Sequence, residues 1–324
     1  MALPFTVKIL DKDLPKNEDD RCNSLLPAAR RTKRDHIIAP QPTTDFLEKE
    51  LLVKRLNAIQ DWLWLCGRPM PPRPLHHQRL LSREIIISED VELHLIWWEK
   101  RIFLKPLPPY LLDPDFWQTY IVGTADIDAS MGHLDSCARG FLFSYMALIS
   151  YESDFRIAKE YGLLPGAVTW TGWKALSAQF LASHRYDRIN ARYWYGELRL
   201  SRLNKVYRLR KGRILRGYSR AASHTFYGDL LRDNFAILAG FLGYVVIALT
   251  AMQVGLGVER LQESEAFQNT SYGFTIFSLV APLVGAVLIF LIVLAMFVSN
   301  WRATKSFEKR RFVEMGVGAQ PLLT

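Results

Sequence analysis

The sequence predicts a helix-rich α+β domain with a small β-hairpin region, followed by a C-terminal hairpin of two transmembrane α-helices. Three observations predict it. Two long apolar runs near the C-terminus carry no charge. Apolar residues recur at steps of three and four through much of the chain ahead of them. Between those helical stretches lies one block rich in β-branched and aromatic residues, positions 85–105.

The chain has 324 residues, 49% of them hydrophobic, and a formal net charge of +9. That length holds one or two domains with a real core. An excess of Lys and Arg fits nucleic acid, anionic lipid or solubility, and position has to decide. The three cysteines, Cys22, Cys66 and Cys137, are far apart and form no CxxC pair. This pattern excludes a disulfide framework and points to reduced thiols in the cytosol. The first residues contain no signal-peptide apolar core.

Residues 1–44 are polar, basic and proline-containing, and read as a disordered basic arm. The run Arg30, Arg31, Lys33 and Arg34 is a solvated tail on this reading. A cytosolic α+β domain follows over 45–198. Asp45 and Glu48 resemble a capping box, and Leu47, Leu51, Leu52, Leu56, Ile59 and Leu63 keep helical spacing until Gly67 and Pro69. The segment PMPPRP is an extended link. Ile85–Ile87, then VELHLIWW and RIFLK divided by Glu99 and Lys100, read as strands with a hairpin. Two long helices are expected next. One covers 136–161, and the other starts near Trp173 and continues to Leu198.

Residues 199–234 form a basic juxtamembrane segment. Arg202, Lys205, Arg208, Arg210, Lys211, Arg213, Arg216 and Arg220 alternate there with Leu203, Val206, Leu209, Ile214 and Leu215. The cluster is expected to face anionic lipid head groups, each charge near such a surface being worth about 1 kcal/mol. An amphipathic interfacial helix and a collar that only fixes topology both fit this pattern. The first predicted span is 235–256 and the second 274–298, both without charge. At about 1.5 Å per residue each is long enough for a hydrocarbon core of about 30 Å. Pro282 would kink the second. Lys and Arg are concentrated before the first span and in the 299–324 tail, while the 257–273 loop holds Arg260 against Glu259, Glu263 and Glu265. Both termini are therefore expected in the cytosol and the loop outside or in a lumen.

Candidates for chemistry are few. His184 and Asp187 lie one turn apart on the expected helix and suit an acid–base pair or a satisfied polar pair. His76, His77, Glu84 and His94 are metal-ligand types, without the spacing of HExxH or a zinc finger. No nucleophile elbow, Walker motif or dinucleotide fingerprint is present. No catalytic, cofactor or metal residue is assigned, and no nucleic-acid partner is expected.

Several strings resemble a family of fungal two-span membrane proteins of unknown function. They are RPLHHQ (73–78), LHLIWWEKRIFLKPLP (93–108), YESDFRIAKEYGLLP (151–165), YGELRLSRLNKVYRL (195–209) and AMQVGLGVERLQESEAFQNTSYGF (251–274). The resemblance covers about 45–300 and implies no activity. The layout also looks like CorA-type magnesium channels, although their Gly-Met-Asn signature is missing from the corresponding stretch, Ala251 to Gly257, which reads AMQVGLG. The first expectation is a membrane-tethered cytosolic adaptor or scaffold, partnered by the bilayer and by a protein or a second copy of itself. A divergent CorA-like channel subunit and a membrane-bound enzyme are the alternatives.

Overall fold

The computed structural model describes residues 3–10, 15, 17–32, 35–122, 129–211, 218 and 226–315. The chain divides into two units, 1–219 and 220–324.

The first unit is helix-rich α+β, as the sequence predicts. In chain order it contains α1 (Glu18–Leu25), β1 (Arg30–Arg31), β2 (Ile37–Ile38), α2 (Thr44–Leu51), α3 (Lys54–Asn57) and α4 (Leu75–Leu80). Then come β3 (Glu84–Ile87), β4 (Ile96–Trp98), β5 (Arg101–Leu104), α5 (Pro114–Phe116), α6 (Ala129–Leu148), α7 (Glu152–Glu160) and α8 (Trp170–Ser183). It closes with β6 (Leu198–Arg199) and α9 (Leu200–Lys211).

The β-hairpin forms where expected. β4 and β5 pair antiparallel, Trp98 opposite Arg101, and Glu99 takes a positive φ of 52° to make the turn. The four-stranded sheet has the order β3-β5-β4-β6. β6 joins β4 in parallel, so a strand from position 198 completes a sheet begun at position 84.

The helices are shorter than their apolar spacing predicts, for local reasons. Leu51, Leu52 and Val53 are consecutive and all buried. One straight helix cannot turn three successive side chains into a core on one side, so the chain breaks at Leu52 and Val53 between α2 and α3. Thr43, not Asp45, caps α2 by accepting from the Phe46 amide. The expected 136–161 helix divides because Asp154 caps α7, accepting from the Tyr151 amide at 3.0 Å. The expected 173–198 helix stops at Ser183, and 3₁₀ turns at Tyr186–Arg188 and Ala191–Trp194 take its place.

The N-terminal arm contributes to the core. Phe5, Leu10, Leu25 and Leu26 are buried, and Phe5 meets Trp117 edge-on at 6.1 Å. Arg21 pairs with the buried Asp113 at 2.8 Å.

The second unit contains α10 (Phe226–Gly255), α11 (Glu259–Gln262) and α12 (Glu265–Met315). The predicted transmembrane hairpin is corrected here. Among the described residues no helix is long and apolar enough to cross a membrane. The integral-membrane reading rested on that hairpin. The uncharged windows are parts of longer, mixed helices. α10 opens with Asp229, Arg232 and Asp233 ahead of its uncharged window. α12 takes in Glu265, Gln268 and Asn269 before its window and Arg302, Lys305 and Arg310 after it. The expected 257–273 loop is also largely helical, as α11 and the start of α12. Gly255 admits the Phe267 ring, which a Cβ there would meet at 2.6 Å.

Candidate arginine–tryptophan cleft

The site is built from two stretches far apart in sequence. Residues 64–73 leave the 3₁₀ turn Gln60–Leu65 and run extended through three prolines. Residues 196–202 pass through β6 into α9. The Arg199 amide donates to the Cys66 carbonyl at 2.9 Å, and the Gly196 amide to the Met70 carbonyl at 2.7 Å. The backbones come so close that side chains are excluded at two points. A Cβ on Gly67 would lie 2.5 Å from the Glu197 carbonyl oxygen, and one on Gly196 2.5 Å from the Pro72 nitrogen.

Between these stretches and β4 lies a cleft of about 490 Å³. Five arginines line it, Arg68, Arg73, Arg83, Arg199 and Arg202, against one carboxylate, Glu197. Trp64, Met70 and Pro71 supply its apolar rim, and Trp97 lies among the arginines. Glu197 is committed inside the wall. It pairs with Arg83 and accepts from Gln78 Nε2 at 2.8 Å and the Arg73 amide at 3.2 Å. Burial alone would raise its carboxyl pKa, but the Arg83, Gln78 and Arg73 bonds outweigh that and hold it below the usual range. Arg83 also lies 4.3 Å from the Trp97 ring centroid and Arg199 5.2 Å from it. The Arg202 guanidinium donates to the Leu65 carbonyl at 3.3 Å. Cys66 is no nucleophile here, since burial pushes its thiol up to about 11 despite Arg202 and Arg192.

Of the basic cluster read from the sequence, Arg202 enters this cleft. Lys205 and Arg210 are exposed on α9 and Arg208 is half-buried, while Leu200, Leu203 and Val206 bury the opposite face. The Lys211 side chain and residues Arg213, Arg216 and Arg220 lie outside the described residues. Spacing in a single segment found Arg202. Arg199 opens the same basic run, whereas Arg68, Arg73 and Arg83 were missed because they come from two further segments. The Gly-Arg-Pro-Met-Pro-Pro-Arg-Pro run at 67–74 was the available signal, an extended strip that must lie against something.

The histidine candidates are separated. His184 ends α8 and stacks on Phe143 at 4.1 Å, with burial lowering its pKa. Asp187 instead pairs with Arg185 at 2.7 Å. The gap beside His184 is about 10 Å³, one water at most. His76 bonds the buried Asp154 at 2.8 Å through Nδ1. His94 is buried, its Nδ1 accepting from the Lys105 amide at 3.2 Å and its Nε2 facing Ser144 Oγ at 2.8 Å. Burial, then Arg192 and Lys105, drive its pKa well down, so it is a neutral core tautomer. Among the described residues no group of His, Cys, Asp and Glu is placed to hold a metal.

No curated protein and no solved structure matches the chain. One family model does, described as a family of unknown function, and it spans residues 43–282, which include the whole cleft. The chain therefore belongs to this family of unknown function, DUF6601.

Proposed function

We propose that the chain is a non-catalytic adaptor module whose cleft captures a ligand bearing several phosphate groups. The observation that carries this reading is the imbalance of five arginines over one carboxylate, itself already spent on Arg83, Gln78 and the Arg73 amide. Among the described residues Arg68, Arg73 and Arg199 have no carboxylate partner. A guanidinium fork matches phosphate oxygens two at a time. The volume suits a small polar ligand. A nucleoside base is the poorer guest, because the Trp97 ring already carries two guanidinium groups. A fungal source, suggested by the resemblance of several strings to a fungal family, belongs with this reading.

The test is titration of the full chain with inorganic pyrophosphate, followed by calorimetry or tryptophan fluorescence. Saturable binding that weakens with salt is expected. Arg73→Ala should weaken it roughly tenfold or more, since charged hydrogen bonds contribute about 1.5–3 kcal/mol. Binding that ignores the arginine substitutions rejects the reading.

A further inference from the structure

The rim of the cleft differs in character from its walls. Trp64 is 61% exposed and Met70 39%, with Pro71 exposed between the walls they border. A pocket for a free polyanion has no use for a tryptophan left in water beside its mouth. A pocket that meets its ligand at the surface of a bilayer does. An indole ring settles at the level of lipid head groups, its apolar body against the acyl boundary and its N–H in the polar layer. The positive field continues past the mouth. α9 starts immediately after Arg199 and presents Lys205 and Arg210 to solvent.

We propose that the cleft binds the phosphorylated head group of an anionic lipid while it remains in the bilayer, with Trp64 and Met70 entering the interfacial layer beside it. The inference rests on the phosphate-binding reading above and commits it to a lipid source. Association by this route needs no spanning helix. The arginines supply head-group recognition, and the rim supplies the preference for a membrane over the same head group in solution.

The experiment uses the full chain, inositol trisphosphate as soluble head group, and vesicles of phosphatidylcholine with and without phosphatidylinositol bisphosphate. Phosphatidylcholine vesicles carrying phosphatidylserine at matched charge set the baseline for association by any other basic part of the chain. Bisphosphate vesicles are expected to recruit the protein above that baseline. Trp64→Ala, at an exposed position, should cut the increment about tenfold, the loss expected for one partly buried aromatic anchor. The same variant should bind inositol trisphosphate as the parent does, whereas Arg73→Ala should lose both. Soluble trisphosphate binding without an increment on bisphosphate vesicles overturns the lipid inference and leaves the cleft reading standing. An increment insensitive to Trp64→Ala also overturns it. If neither probe binds, both readings fail.

Discussion

The Tyr218 hydroxyl donates to the Glu92 carboxylate at 2.6 Å, and both side chains are buried. The Arg55 guanidinium lies 4.6 Å from the Tyr218 ring centroid and donates to its carbonyl at 2.7 Å. The Tyr218 amide also donates to Asn204 Oδ1 on α9, at 2.8 Å. One tyrosine thus ties the start of the sheet region to the helix that follows the cleft. Tyr218→Phe leaves a buried carboxylate oxygen without its donor and should cost about 1–3 kcal/mol. Chemical denaturation of the full chain measures it as a shifted first-unit midpoint.

Two buried glutamates should give opposite pH responses. Burial raises the Glu92 pKa, more than the Tyr218 and Arg55 bonds lower it. Its folded pKa lies above the unfolded one, so its stabilising contribution is complete below the ordinary value near 4.5 and is lost as pH rises through the raised value. Glu197 is lowered, so its contribution is present above the ordinary value near 4.5 and is lost as pH falls through the folded value. Glu92→Gln should therefore flatten the stability profile above that point and Glu197→Gln below it. Denaturant melts across an acidic pH series check both signs.

Gly196→Ala should separate the two walls of the cleft. Its Cβ would meet the Pro72 nitrogen, the Met70 carbonyl oxygen and the Pro71 carbonyl carbon, all within 2.7 Å and all backbone. No side chain can swing aside there, so the strain is expected at about 1–3 kcal/mol. Pyrophosphate affinity should fall together with the melting temperature. A variant that melts normally and still binds contradicts the described approach of the backbones.

Thiol labelling gives a fourth check. Burial pushes Cys66 to about 11 and Cys137 to about 12, and Cys22 is half-buried. A thiol-specific reagent on the native chain should titrate Cys22 first, with Cys66 and Cys137 reacting on unfolding. Rapid labelling of all three in native buffer would show that the core is not closed as described.

Local chemistry made part of this structure legible. The hairpin at Trp98 and Arg101 follows from two β-rich runs around a polar pair, and α9 follows from the spacing of Leu200, Leu203 and Val206. Helix length was harder. Periodicity does not register that Leu51, Leu52 and Val53 all have to be buried, or that Asp154 serves the amides of both Tyr151 and His76. In the second unit the uncharged windows lie inside longer helices, Phe226–Gly255 and Glu265–Met315. The cleft was the least legible feature. Arg68, Arg73, Arg83 and Arg199 acquire a common purpose only when β6 docks beside β4, and no pattern within one segment encodes that docking.

The stitching of residues 64–73 to 196–202 gives the cleft a second significance. More than a hundred residues intervene, so a nascent chain halted before Gly196 has one lip of the site and no opposite lip. An occupant gripping both lips would also act as a clamp on the native state. At a hundredfold excess over its Kd it would add about 2.7 kcal/mol to the unfolding free energy. Ligand and fold would then protect each other, and an empty first unit would be the first to be cleared by proteolysis.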